Sequence, residues 1–153
     1  SIVPNYKSLY PGGYDIAGMF YLQGWNDMRF SNKVNEYEYN LVNFMSDMRS
    51  KQHGLNITDL PFVIGELGMH GTNLARMTRN QRRRIEGIRT AQANAATADE
   101  NAQLATTKEI LGDDPGCEDL WGCPQYHYNK NAKFYYEIGV AMGSRMLELL
   151  GLS

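Results

Sequence analysis

Gly18-Met19-Phe20-Tyr21-Leu22-Gln23-Gly24-Trp25-Asn26-Asp27 sets the architecture of this chain. Ile16 to Leu22 is a short, nearly continuous apolar run, broken abruptly by Gln23-Gly24 and followed at once by polar groups. An apolar run of this length, bounded by glycine, reads as a buried strand of a parallel sheet. In open α/β sheets, ligands sit beyond the carboxyl ends of the strands. Gln23, Trp25, Asn26 and Asp27 would therefore stand at that edge. An Asn amide at such an edge can donate to a developing oxyanion, a contribution of about 3–4 kcal/mol in a measured case.

Working outward, Leu60-Pro61-Phe62-Val63-Ile64-Gly65-Glu66-Leu67-Gly68 predicts a second buried strand, with Pro61 near its start, where a ladder tolerates it. Glu66 then falls at the same sheet edge as Asn26. Ala102 to Ile110 predicts a weaker third strand. Between and after these runs lie three amphipathic segments. Asn35 to Lys51 carries Tyr37, Leu41, Phe44, Met45 and Met48 on one face, and Gly54 offers a left-handed cap. Arg79 to Ala95 turns Ile85, Ile88 and Ala95 inward, and Arg82-Arg83-Arg84 reads as a solvated face beside Glu86. Asn131 to Leu150 places Phe134, Tyr135, Ile138, Met142, Met146 and Leu149 on its buried side. Three strand-then-helix units in succession predict an α/β fold with a parallel sheet and flanking helices. Ser1 to Tyr14, punctuated by Pro4, Pro11, Gly12 and Gly13, reads as loop.

The 153 residues suffice for one domain with a sizeable core. Apolar residues make up 42% and charged residues 21%, ordinary for a globular chain, and the net charge of −2 argues against nucleic acid as a partner. No apolar run approaches the roughly 20 residues that span a bilayer. Ser1-Ile2-Val3-Pro4-Asn5 lacks the basic and apolar regions of a signal peptide. The chain starts without Met, which predicts a processed, trimmed or partial sequence. Cys117 and Cys123 lie in a Gly-, Pro- and Asp-rich stretch that matches no zinc motif. They are expected to be bonded or close enough to bond, a link that would contribute about 2 kcal/mol.

The remaining chemistry lies in Tyr126-His127-Tyr128-Asn129, between the acidic loop Leu111 to Gln125 and the last helix. A His at such a junction can reach over the strand edge as a general base. His53 and His70 read as solvent-facing. Gly24-Trp25-Asn26-Asp27 resembles the Gly-x-Asn-Asp block of the SGNH-hydrolase superfamily, whose Asn donates to the oxyanion. Phe20-Tyr21-Leu22-Gln23-Gly24 resembles the strand and turn of its sialate O-acetylesterase branch, although Trp25 stands where that branch usually has Glu. Ile88-Arg89-Thr90-Ala91-Gln92 is similar to a recurring Ile-Arg-x-Ala-Gln segment of the same branch. The His-Tyr-Asn of 127–129, followed by Phe134-Tyr135-Tyr136-Glu137-Ile138-Gly139, resembles its final block, where the catalytic His precedes the last helix.

This resemblance implies a flavodoxin-like three-layer α/β fold and a carbohydrate acetyl-ester substrate. It implies no cofactor or metal, and a secreted or periplasmic location. It assigns His127 as base and Asn26 as oxyanion donor, with Gln23, Gly24, Trp25, Asp27 and Glu66 lining the sugar-facing wall. The acid that orients His127 stays open among Asp119, Glu118, Glu66 and a backbone carbonyl, because Pro124 occupies the position three residues before the His. The Gly-Asp-Ser or Gly-Gln-Ser block of the nucleophile has no counterpart. The match therefore implies the carboxyl-terminal portion of the domain, its serine supplied by an upstream segment of the same or a separate chain. The alternative is a non-catalytic carbohydrate-binding or structural subunit with a vestigial pocket.

Overall fold

A computed structural model of the chain describes residues 10–75, 77–111, 128 and 131–152. The elements run β1 (Met19–Leu22), α1 (Trp25–Met28), α2 (Ser31–Arg49), β2 (Phe62–Gly65), α3 (Arg79–Thr97), β3 (Ala102–Ala105), α4 (Lys108–Leu111) and α5 (Ala132–Leu149). The strands form one sheet in the order β1-β2-β3, parallel throughout. Leu22 pairs with Gly65 and Gly65 with Ala105, so the three carboxyl ends are flush. The α/β architecture predicted from the alternating runs is the one observed.

Two apolar cores lie on the two faces of the sheet. Phe62 and Ile64 pack with Tyr37, Leu41, Met45, Ile85, Ile88 and Ala95 from α2 and α3. Val63 points the other way, to Phe134, Ile138, Met142 and Met146 of α5. Covered on both faces, β2 is buried at every position, the physical reason its sequence is continuously apolar. The stripe Phe134, Ile138, Met142, Met146 repeats every four residues and makes one face of α5.

Several boundaries differ from the sequence expectation. The first strand spans four residues and lies at the sheet edge, not in its interior. Met19 and Tyr21 pack on the α2 side, whereas Phe20 is 53% and Leu22 42% exposed on the other. The third strand stops at Ala105. Thr107 leaves the ladder to bond the carbonyl of Glu66, and α4 follows. Helix α2 starts at Ser31, bringing Val34 against Gly87 of α3. The left-handed residue after it is Asn56 (φ 60°), not Gly54, whose lack of a side chain instead lets the backbone approach the carbonyls of Asp47 and Met48. Tyr135 is exposed, its ring edge-on to Tyr128 with centroids 5.4 Å apart. Helix α3 opens with a capping box in which the Thr78 hydroxyl accepts from Gln81 N–H and the Gln81 side chain accepts from Thr78 N–H.

Candidate functional site at the carboxyl edge of the sheet

Where β1 ends, the chain turns sharply at Gly24, whose φ of +139° is a conformation L side chains rarely adopt. A Cβ there would also meet Ile88 Cγ2 at 2.9 Å. Glycine is thus required twice, by conformation and by the close approach of α3. The turn leads into the four-residue α1, in which Met28 N–H donates to Gly24 O at 2.9 Å. Asn26 stands exposed on it, and its side chain makes no hydrogen bond to a described residue. Asp27 accepts from Gln23 Nε2, and Gln23 Oε1 accepts from the Tyr21 hydroxyl at 3.2 Å. The Gln23 and Asp27 side chains are therefore half-buried and mutually engaged. Trp25 is half-buried against the core and lies 5.1 Å, centroid to centroid, from the ring of His70. That contact corrects the solvent-facing reading of His70, which occupies a left-handed turn (φ 70°) beyond β2, whereas His53 is exposed.

Glu66 lies at the register expected, one residue past Gly65, but it is only 3% exposed. Its carboxylate is no open wall: Oε1 accepts from Lys108 Nζ at 2.9 Å, while Oε2 is buried without a hydrogen-bond partner among the described residues. The backbone here is held by two residues of α3. Gln92, fully buried, accepts from Leu67 N–H at 2.8 Å through Oε1. Its Nε2 donates to Gln23 O at 2.8 Å and to Gly65 O at 3.3 Å. The ends of β1 and β2 are thereby tied through one amide. Arg89 donates to Leu67 O and Gly71 O at 2.8 Å and to Met69 O at 3.3 Å, and burial lowers its pKa. The Ile-Arg-x-Ala-Gln segment of residues 88–92 is the carrier of these ties. Lys108 and Thr107, by contrast, gave no sign in the sequence.

Tyr37 closes the floor beneath Gln23, its hydroxyl donating to Gln23 O at 3.1 Å. Burial pushes its pKa, like those of Tyr21 and Tyr128, above the usual phenol value. Tyr128 is 2% exposed, and its hydroxyl lies within hydrogen-bonding reach of the Gly68 backbone and the Thr107 side chain. His127, Glu118, Asp119, Cys117 and Cys123 lie outside the described residues.

The parallel sheet sets a Gly-turned Asn beyond β1 and a buried carboxylate beyond β2, the edge at which open α/β proteins hold their ligands. The family model for carbohydrate esterase, sialic acid-specific acetylesterase, matches residues 2–111, most of the chain, and the chain belongs to that family. No curated protein and no solved structure matches it. Among the described residues, no helix is long and apolar enough to cross a membrane.

Proposed function

We propose that the chain forms the His- and Asn-bearing portion of a carbohydrate O-acetylesterase that works by a Ser-His mechanism. The observation that carries this reading is the unengaged amide of Asn26, held beyond β1 by a turn that only glycine can make. The serine Oγ attacks the acetyl carbonyl while His127 takes its proton, and Asn26 Nδ2 donates to the tetrahedral oxyanion. Collapse expels the sugar hydroxyl, which receives the proton from His127. Water, deprotonated by His127, then attacks the acyl-serine; acetate leaves and the proton returns to Oγ. Trp25, Gln23 and Asp27 shape the approach of the sugar.

Glu66 is the proposed partner of the His127 ring. Tyr128, the next residue, is anchored on Gly68 and Thr107, and Thr107 bonds the Glu66 carbonyl at 2.5 Å. His127 is the residue before this anchor in the sequence. The unpartnered Glu66 Oε2 can then accept from the ring N–H and hold the tautomer that leaves the other nitrogen basic.

The serine is proposed to arrive on an additional strand at the free edge of β1. Among the described residues, Ser31, Ser46 and Ser144 lie in helices and Ser50 caps one. Among the described residues the outer edge of β1 is unpaired, and Phe20 and Leu22 are exposed beside it. Assaying 4-nitrophenyl acetate hydrolysis tests the assignment. The 153-residue chain alone should be inactive, and a polypeptide extended by the upstream Ser-bearing segment should be active. Activity of the chain alone would place the nucleophile within it. Inactivity of the extended polypeptide would favour a carbohydrate-binding subunit with a vestigial pocket.

A further inference from the structure

We propose that the starts of α2 and α3 form a face that docks on an anionic phospholipid surface, with Arg29, Lys33 and Arg83 on the phosphates and Phe30 in the headgroup layer. The charge of the chain is divided in space. Residues 29–36 and 79–86 carry six cations, Arg29, Lys33, Arg79, Arg82, Arg83 and Arg84, against Glu36 and Glu86, and the rest of this net-negative chain is acidic. Among the described residues none of the six makes an ion pair, whereas Arg49, Lys108, Lys133 and Arg145 each do. A merely solvated helix face gathers counter-charges of its own, as α5 does with Arg145 and Glu148.

The fold gathers these cations on one side. Val34 of α2 lies against Gly87 of α3, and Glu38 accepts from Asn94 Nδ2 at 2.8 Å, so the two helices run parallel and start together. Arg84 Nη1 donates to Arg29 O at 2.6 Å, which ties the first turns of α3 to the turn before α2. Both helix dipoles therefore present their positive ends where the cations stand. Arg29, Arg79, Arg82 and Arg83 are exposed, and Lys33 and Arg84 are half-buried.

Phe30 selects the partner. It precedes α2 with 46% of its surface open, and Arg29 Cζ and Lys33 Nζ lie 6.0 and 5.0 Å from its ring centroid. An exposed ring flanked by cations has the composition of an interfacial anchor: the ring rests at headgroup level and the cations meet lipid phosphates. Cations spread over two helix starts meet a broad anionic surface at several points at once. A single nucleic-acid strand is instead tracked by a charged groove, and the recess of about 120 Å³ beside Lys33 has the Asp27 carboxylate on its wall. Charges are screened beyond about 8 Å at physiological ionic strength, so the near face decides the encounter rather than the net charge of the chain. Arg29 N–H donates to Asn26 O at 3.4 Å, so docking turns the Asn26 end of the sheet toward the lipid.

Docking requires no serine and no turnover, so its test is independent of the esterase reading. The protein is sedimented with sugar-free phosphatidylcholine vesicles, with and without phosphatidylserine. Binding should require phosphatidylserine and vanish in 1 M salt, where the screening length shrinks to about 3 Å. Arg29→Gln with Lys33→Gln and Arg83→Gln should weaken it about a hundredfold. Phe30→Ser should weaken it several-fold at unchanged charge, and Ser is a preferred helix cap, so this variant keeps its fold. Arg145→Gln on α5 should leave binding unchanged. Equal binding to phosphatidylcholine alone, binding that survives high salt, no binding at all, or full binding by either folded variant would each overturn the proposal. Displacement by free glycerophosphoserine would also overturn it, in favour of a headgroup pocket. Tighter binding of an oligothymidylate would overturn it in favour of a nucleic-acid surface. Where the triple variant fails to fold, Phe30→Ser and the salt dependence decide.

Discussion

The two ends of the sheet are held by the same device and left in different states. At the amino end, Arg49 of α2 donates to Leu60 O at 3.0 Å and Asn101 O at 3.3 Å, pairs with Asp99, and lies over the Phe62 ring at 5.1 Å. At the carboxyl end, Gln92 and Arg89 of α3 bond the backbone of Gln23, Gly65, Leu67, Met69 and Gly71. Arg49 fastens structure and is itself satisfied by a carboxylate. The carboxyl end satisfies its backbone equally well yet leaves the Asn26 amide and Glu66 Oε2 unengaged among the described residues. Buried polar groups are normally paired, and Glu66 Oε2 is the exception at this end, whereas the Asn26 amide is exposed. On the proposed function, the carboxyl end is the working end.

The sharpest way to break this contrast is Asn26→Ala in the extended, Ser-bearing polypeptide. Turnover of an acetylated sugar should fall about 10²–10³-fold with little change in stability. An unchanged kcat would return Asn26 to the status of a surface residue. Gln92→Leu should show the opposite pattern in urea unfolding. It strips partners from Leu67 N–H and from the Gln23 and Gly65 carbonyls, at a cost of about 3 kcal/mol. A loss below about 1 kcal/mol would mean that the ends of β1 and β2 are held by something else.

Arg49→Ala probes the other end and should cost about 2 kcal/mol while leaving kcat per folded molecule intact. A fall in kcat at full folding would erase the distinction between the ends. The smallest effect concerns pH. Tyr21, Tyr37 and Tyr128 have folded pKa values raised by burial, so the folded state binds their protons more tightly than the unfolded chain. Their contribution is complete below the unfolded value of about 10 and is lost as pH climbs past it. Stability should therefore decline as pH rises above about 10, and Tyr37→Phe should flatten that decline. An equally steep loss in the variant would assign it to other groups.

How much of this was legible in the sequence follows the physics of each feature. The unbroken run Phe62 to Ile64 announced a strand covered on both faces. The edge position of β1 was hidden because Phe20 and Leu22 are as apolar as interior residues, though half their surface is open. The β-branched Thr106 and Thr107 prolonged the third strand on paper, whereas Thr107 turns out to be a bonding partner of Glu66. The turn at Gly24 could be read from its place after a strand, whereas the oxyanion role of Asn26 is a proposal. Arg89 and Gln92 were visible only as a familiar segment, because nothing in a helical pattern says which backbone a long side chain will reach. Lys108 gave no signal at all, its role resting wholly on the register that sets Ala105 beside Gly65.

The central claim, that this edge performs ester hydrolysis with His127 as base, meets its most direct test in one rate measurement. Hydrolysis of 4-nitrophenyl acetate by the extended polypeptide is compared with that of its His127→Ala variant, both confirmed folded. The account predicts that kcat/KM falls about 10³-fold or more, toward the background rate. A variant that retains the parent kcat/KM would contradict it.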